Sequence, residues 1–387
     1  MIKNKKVLLL INYIFLDYHM CKSSRIGLLN ALSNFGYDVI FFGAYIKLPE
    51  KENGIKLIQY KVHRLSYIKL IWFIILANIQ LPRIAIKNKV QYIMCDPYSI
   101  PSLFSIYFYN ILFGKRIKII LDFRSGIFYS RGKILKDFIK DIFIRFVINV
   151  SKIICNGYTF ITPELKKIIT SKFNLKSIKY TYWSSAVDNR FIHYRSKKVN
   201  ISNGDLKILF HGALSREKGL NELFHAMRNL EIKKYPVILS IVGDGEIKNE
   251  LIELAQKNHM NNIHFYNNVN QSKIMEFIDE CDLGIIPLAD TVANRTSSSL
   301  KMMEYLALNK PVIVTDITAF KNSKFRNCNS LIFIKNNEPK NIEKSIIYAY
   351  QNKKILPKLG ANGRNIIKDH FLWEHQANKV ISLFNIL

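Results

Sequence analysis

The run LKILFHGALSREKGL, residues 206–220, decides the fold. Leu206–His211 is apolar and of strand length, Gly212 interrupts it, and residues 214–220 open a helix. A strand that passes through a glycine turn into a helix is the first part of a βαβ unit. Such a turn leaves backbone N–H groups and the positive end of a helix dipole facing outward, which favours an anion there. Lys218 sets a full charge beside the turn, with Arg216 two residues earlier, and a diphosphate would suit them. A surface loop that happens to hold an Arg and a Lys is the plainer reading of the same letters.

The alternation continues in both directions. Downstream, strands are expected at 237–242, 263–266, 283–287, 312–315 and 331–334, with helical spacing over 222–229, 247–257, 272–281 and 299–308. Upstream, they are expected at 7–12, 38–42, 92–95, 117–122, 152–155 and 159–162. Continuous apolar strands between helices indicate parallel sheets covered on both faces. Between the two series, RSKKVNISNGD (195–205) is polar, lacks periodicity and carries an Asn-Gly turn signal. The expected class is therefore α/β, two Rossmann-like doubly wound domains facing a cleft. They would cover 1–197 and 198–365, followed by a helical end at 366–387 with an aromatic kink at Phe371 and Trp373.

Two further motifs carry chemistry. IVGDGE (241–246) again joins strand to helix through glycines, including Gly243, yet it lacks the GxGxxG spacing of a dinucleotide site, and a tight βα turn is its plainer reading. In SSSLKMMEYLALNKPVIVTD (297–316), three serines precede a helix whose first N–H groups can take phosphate or sugar oxygens. Glu304 has apolar neighbours at helical spacing, namely Leu300, Ala307 and Leu308. A carboxylate there can accept hydrogen bonds from vicinal hydroxyls, or it can be a solvent-facing helix residue.

Composition bounds the rest. The 387 residues are 49% hydrophobic and 22% charged, enough apolar material for two cores and unlike a disordered chain. The net charge of +28 draws anions: nucleic acid, acidic lipid or phosphorylated substrate. AT-rich coding would also enrich Lys, Ile and Asn, but it does not explain the shortage of Asp and Glu. Five scattered cysteines with no CxxC pair (Cys21, Cys95, Cys155, Cys281, Cys328) argue against a disulfide framework or zinc site and fit a reducing cytoplasm. Residues 7–11 are too short for a leader and read as a buried strand. The greasiest stretch, 65–86, is interrupted by Lys69, Asn78, Gln80, Pro82 and Arg83, so no bilayer span is expected. Aromatic and basic residues interleave over 60–89 and 98–152, as suits an anionic membrane surface or helices packed on a sheet.

HGALSREKGL, IVGDGE and SLKMMEYLALNKPVIVTD in this order, with HFYNNVNQSKIMEFIDECDLGIIPL before the last, resemble the second domain of the large retaining GT-B glycosyltransferase family often called family 4. The resemblance covers 207–373 well and the whole chain loosely. It implies that Lys218 neutralises a donor diphosphate as the leaving group's charge develops. It implies too that Glu304, the second member of a paired-Glu motif, accepts hydrogen bonds from the ribose. Ser298, Ser299 and Leu300 would offer N–H groups to phosphate or sugar, Val269 would meet the base, and Gly212, Arg216 and Gly243 would complete the donor site. The last helix would cross back onto the first domain.

Two positions depart from the pattern. Thr296 stands where the first Glu of the pair belongs, and Ala213 stands where the family usually carries Arg after the glycine. Arg216 or Arg295 could substitute in space. No Asp-x-Asp occurs, which with Lys218 favours a metal-free reaction without a cofactor beyond the nucleotide-diphosphate sugar itself.

The first domain would bind the acceptor. Its opening loop (13–25) has Ser23, Ser24, Lys22 and Arg25 where the family has glycines, and LDFRSG places Asp122 and Arg124 after a strand as candidate catalytic residues with Lys218 and Glu304. His19 and His211 are assigned no role. The expected activity is transfer from a UDP- or GDP-linked sugar to a glycan or lipid-linked acceptor in cell-envelope polysaccharide synthesis, at the inner face of the cytoplasmic membrane. A nucleotide-sugar epimerase and a non-catalytic membrane-surface partner are the alternatives; no nucleic-acid motif accompanies the charge.

Overall fold

The computed structural model describes residues 6–12, 22–45, 51–52, 55–61, 66–124, 134–196, 204–321, 324–325 and 329–387. The chain divides into two compact units, Met1–Ser184 with Trp373–Leu387, and Ser185–Leu372. These boundaries differ from 197/198 and 365/366. Val187 and Phe191 are buried in the core of the second unit, and Val187 N–H donates to Phe371 C=O at 2.9 Å, so the chain enters that unit ahead of the polar run. The expected final helix is two helices. Leu356–His370 belongs to the second unit and Trp373–Ile386 to the first.

The first unit holds an eight-stranded sheet: β1 (Val7–Asn12), β2 (Asp38–Tyr45), β3 (Lys51–Glu52), β4 (Ile55–Lys61), β5 (Tyr92–Cys95), β6 (Lys118–Phe123), β7 (Gly157–Phe160) and β8 (Tyr180–Tyr182). Its order is β3-β4-β2-β1-β5-β6-β7-β8, parallel throughout except for β3 against β4. The strand expected at 152–155 is instead the end of the helix Ile134–Ile154. That short apolar run continues the helix's own period, and four residues cannot separate strand from helix by pattern.

The connections after β4, β5 and β6 all step the same way along the sheet, so right-handed crossovers place helices Ser66–Lys87, Phe104–Leu112 and Ile134–Ile154 on one face. The step from β1 to β2 is reversed, which puts Lys22–Asn34 on the opposite face, where it packs against Trp373–Ile386. Within Ser66–Lys87, residues 70–87 form one helix long and apolar enough to cross a membrane by length and composition, with mean hydropathy 1.5. The interruptions read from the sequence do not break it. Phe73, Ala77, Leu81 and Ala85 fill the core beneath it, while Ile71, Trp72, Ile75 and Ile79 are exposed. Phe108, Ile111, Leu112, Phe138, Ile139, Ile142 and Phe146 are likewise exposed on the two neighbouring helices.

The second unit's sheet is β9 (Leu206–His211), β10 (Val237–Val242), β11 (Ile263–Tyr266), β12 (Leu283–Ile286), β13 (Val312–Thr315) and β14 (Leu331–Ile334). All six are parallel, ordered β11-β10-β9-β12-β13-β14. The order reverses between β9 and β12, and a doubly wound sheet binds ligands at the carboxyl ends of strands at such a switch point. Ile208 and Phe210 of β9 point into one apolar cluster and Leu209 into the other, which is why the strand is apolar at successive positions.

Gly27 is packed so tightly that a Cβ there would lie 2.3 Å from the Trp373 indole. Gly27→Ala should therefore cost about 1–3 kcal/mol, measured as a lower midpoint of thermal unfolding; an unchanged midpoint would mean that Trp373–Ile386 is not seated on this helix.

Candidate active site

The floor of the site is backbone laid on backbone. Gly212 N–H donates to Val242 C=O at 2.8 Å and Leu214 N–H to Asp244 C=O at 2.9 Å, joining the turns that follow β9 and β10. A Cβ on Gly243 would lie 2.1 Å from Gly212 O, so only glycine allows this approach. Gly212 has φ +108° and a second constraint: its missing Cβ would fall 2.8 Å from Lys301 Nζ. The side chain of Lys301 thus lies across the glycine, with its ammonium 4.1 Å from the centroid of the Phe210 ring.

Lys301 and Glu304 come from the helix Leu300–Ala307. Ser299 caps it, its Oγ accepting from Met302 N–H at 3.3 Å. Met302, Met303, Tyr305 and Leu306 are buried, and Tyr305 OH donates to Leu209 C=O at 2.8 Å, fixing the helix over β9. This anchoring holds Glu304 at 7% exposure, with Oε2 3.4 Å from His211 Nε2 at the end of β9. Lys218 enters from the turn Arg216–Lys218 after Gly212.

Burial dominates the electrostatics. It pushes Glu304 up to about 8 against the pull of Lys301 and of the Gln271 amide. It pulls His211 down to about 3, so the imidazole is neutral, with Lys301 adding to the effect. It lowers Lys301 to about 7, helped by the charge of Lys218, and lowers Lys218 in the same direction. Glu304, His211, Lys301 and Lys218 are each held away from the charged form by lost hydration, and an anion bound between the lysines would restore their charge.

The structure gathers Gly212, Lys218, Gly243, Leu300 and Glu304 at the carboxyl ends of β9 and β10 and the start of one helix. Other expected donor contacts are held differently. Thr296 is buried and its hydroxyl donates to Val292 C=O at 3.0 Å, so it closes a helical turn instead of facing a sugar. Arg216 is exposed and pairs with Glu250 at 2.5 Å, and Arg295 forks onto Asp290 at 2.6 and 2.9 Å; neither stands in for an arginine at 213. Ser298 Oγ accepts from Ser185 N–H at 3.1 Å, which leaves Ser299 and Leu300 as the edge of the site. Val269 is half-buried ahead of the helix Gln271–Glu280.

Sequence reasoning missed Lys301 and gave His211 no role. The signal for Lys301 was its i,i+3 spacing to Glu304, which sets both on one helix face.

In the first unit, Asp122 is fully buried. Its Oδ1 accepts from Thr159 Oγ1 at 2.6 Å and Trp183 Nε1 at 3.0 Å, and Arg25 Nη1 lies 3.7 Å from its Oδ2. Arg124 donates to Trp183 C=O at 2.7 Å and stacks on that indole at 3.5 Å. The pair expected to be catalytic is an internal network that ties β6 to β7 and to the segment around Trp183. Lys22 and Ser23 begin the helix Lys22–Asn34, while residues 13–21, with His19, lie outside the described residues. Among the described residues, no group of three or more His, Cys, Asp or Glu side chains is placed to hold a metal.

Residues 194–366 match the family described as glycosyl transferases group 1. The matched stretch lies within the second unit, Ser185–Leu372. An uncharacterised glycosyltransferase of Methanocaldococcus jannaschii is 25% identical over 230 residues, covering 59% of this chain; the match spans 57% of that relative's length. Among solved structures, sucrose-phosphate synthase of Thermosynechococcus elongatus is similar over 99% of both chains at 13% identity, with a TM-score of 0.75. A Rickettsia africae glycosyltransferase covers 99% of this chain and 98% of its own at 14% identity and TM-score 0.73. The Anabaena protein HepE, solved with UDP, covers 99% and 100% at 11% identity and TM-score 0.73. At these identities the likeness shows the fold alone: GT-B, with two Rossmann-like doubly wound units.

Because the fold raises Glu304 above the ordinary carboxyl value of 4.5 to about 8, the native second unit binds this proton more tightly than the unfolded chain does. The resulting loss of stability begins above pH 4.5 and grows up to about pH 8. Glu304→Gln should then unfold at a higher temperature than the parent near pH 8, by at least about 2 °C, with the two converging as pH falls toward the ordinary carboxyl value. Equal midpoints throughout would mean that Glu304 is not held neutral.

Proposed function

We propose that this chain is a retaining glycosyltransferase that moves a sugar from a nucleoside-diphosphate donor to a glycan or lipid-linked acceptor, without a metal. One observation carries the reading: Lys218, Glu304 and the glycine turns meet at the switch point of a group 1 transferase domain. Lys218 meets the diphosphate as charge grows on the leaving oxygen, an interaction stronger in the transition state than in the ground state. Glu304, ionised when the donor is bound, accepts from the ribose hydroxyls, and the turns after β9 and β10 bring N–H groups to the phosphates. The bond from the sugar's anomeric carbon to the phosphate oxygen breaks, the acceptor oxygen bonds to that carbon on the same face, and the acceptor's proton passes to the leaving phosphate. UDP is the first diphosphate to test, since HepE was solved with it.

The reading extends to place and acceptor. The exposed apolar residues of Ser66–Lys87, Phe104–Leu112 and Ile134–Ile154 share one face of the first unit, in a chain of net charge +28. A contiguous apolar surface beside basic groups fits an anionic lipid surface. We place the protein peripherally on the inner face of the cytoplasmic membrane, in cell-envelope polysaccharide synthesis, where a lipid-linked acceptor would be presented.

Lys218→Ala should lower donor turnover about 10²–10³-fold in the presence of EDTA, and unchanged turnover would remove Lys218 from the site. Full-length protein should sediment with vesicles containing phosphatidylglycerol, and less at high salt. Trp72→Ser combined with Ile75→Ser should weaken that association; equal sedimentation with purely zwitterionic vesicles would count against the membrane placement.

A further inference from the structure

We infer that Lys301 is the second cation of the donor site, clamping the diphosphate opposite Lys218 in the role that an arginine after Gly212 would otherwise fill. The inference rests on the donor reading above and adds a residue to it.

Three observations lead there. Ala213 puts no cation directly after Gly212, while Arg216 and Arg295 are engaged with Glu250 and Asp290. Lys301 lies in the space that Gly212 leaves by lacking a side chain, with Nζ 2.8 Å from where a Cβ would stand. Its ammonium sits over the Phe210 ring, close enough to Lys218 for the two charges to disfavour each other.

The position is poor for a lysine that served only structure. Lys301 stands in the first turn of the helix Leu300–Ala307, where the dipole disfavours a cation. It is half-buried and so loses part of its hydration, and among the described residues no carboxylate pairs with it at ion-pair distance. An anion lying along Gly212 would reverse each penalty together. It would pair with both lysines, take N–H groups from the helix start, and benefit from the dipole that opposes Lys301 when the site is empty. The groups facing Lys301 are Lys218 from the turn, Glu304 from its own helix and His211 from β9. Of these, Glu304 alone favours the charged ammonium, and it is itself disfavoured as an anion.

The anion should therefore protonate Lys301 as it binds, and this gives the inference a readout besides activity. UDP and GDP are titrated calorimetrically into the full chain near pH 8, in two buffers of different protonation enthalpy. The diphosphate that binds the parent should bind Lys301→Met about 10- to 100-fold more weakly. The variant should also take up about one proton fewer per binding event. Ala213→Arg added to Lys301→Met should recover most of the affinity without recovering the proton, because a guanidinium never releases its own. Should the methionine variant fold poorly, Lys301→Arg gives the same separation by keeping affinity and losing uptake. Parent-like affinity and uptake in Lys301→Met would overturn the role of Lys301 and leave the donor site standing. Failure of the parent to bind either diphosphate would overturn the donor reading, and this inference with it.

Discussion

The contact between the turns after β9 and β10 is the constraint on which the rest of the site depends. Gly243 meets the carbonyl of Gly212 where any side chain would collide, and the N–H of Gly212 closes onto Val242. Because the two turns are zipped together, the space above Gly212 stays open, and Lys301 fills it from a helix nearly ninety positions later in the chain. The two glycines divide the work: Gly243 lets one backbone approach another, and Gly212 makes room for a cation. Tyr305 secures the other side by tying the same helix to Leu209. Neither lysine would reach a common anion if the strands were not first brought into register by the parallel sheet.

Much of this was legible in the sequence. The six strands of the second sheet follow its apolar runs closely, because parallel strands covered on both faces need apolar residues at every position and so stand out. The first sheet's outer strands were missed for the complementary reason. Ile55–Lys61 mixes Lys and Gln with its apolar residues, and Tyr180–Tyr182 is short and partly exposed, so neither forms a continuous run. Lys218 and Glu304 could be placed from motif order. Lys301 had only its i,i+3 spacing to Glu304 to mark it, a weak signal in a chain with 57 lysines and arginines; its meaning comes from the absent side chain of Gly212. Asp122 shows the opposite failure. A polar residue just past an apolar strand suggests a site, yet Thr159 and Trp183 bind its Oδ1 inside the unit and Arg25 lies 3.7 Å from its Oδ2.

The helical layer of the first unit poses a different physical problem. A helix at the surface usually turns an apolar stripe inward and a polar one outward. Ser66–Lys87 is apolar on both, with Phe73, Ala77 and Leu81 inward and Ile71, Trp72 and Ile75 outward. Water is a poor neighbour for the outward set, and the basic excess of the chain selects which kind of surface could replace it.

The return of Trp373–Leu387 to the first unit has a consequence for biosynthesis. Its strands precede the second unit in the chain, but the helix that covers Lys22–Asn34 is translated only after the whole of that unit. At roughly 5–20 residues per second the first unit spends many seconds with that face bare, whereas the second is continuous in sequence and can close as soon as Leu372 has emerged. The second unit is thus able to mature before the first, whose Lys22–Asn34 face is covered only once Trp373–Ile386 has emerged.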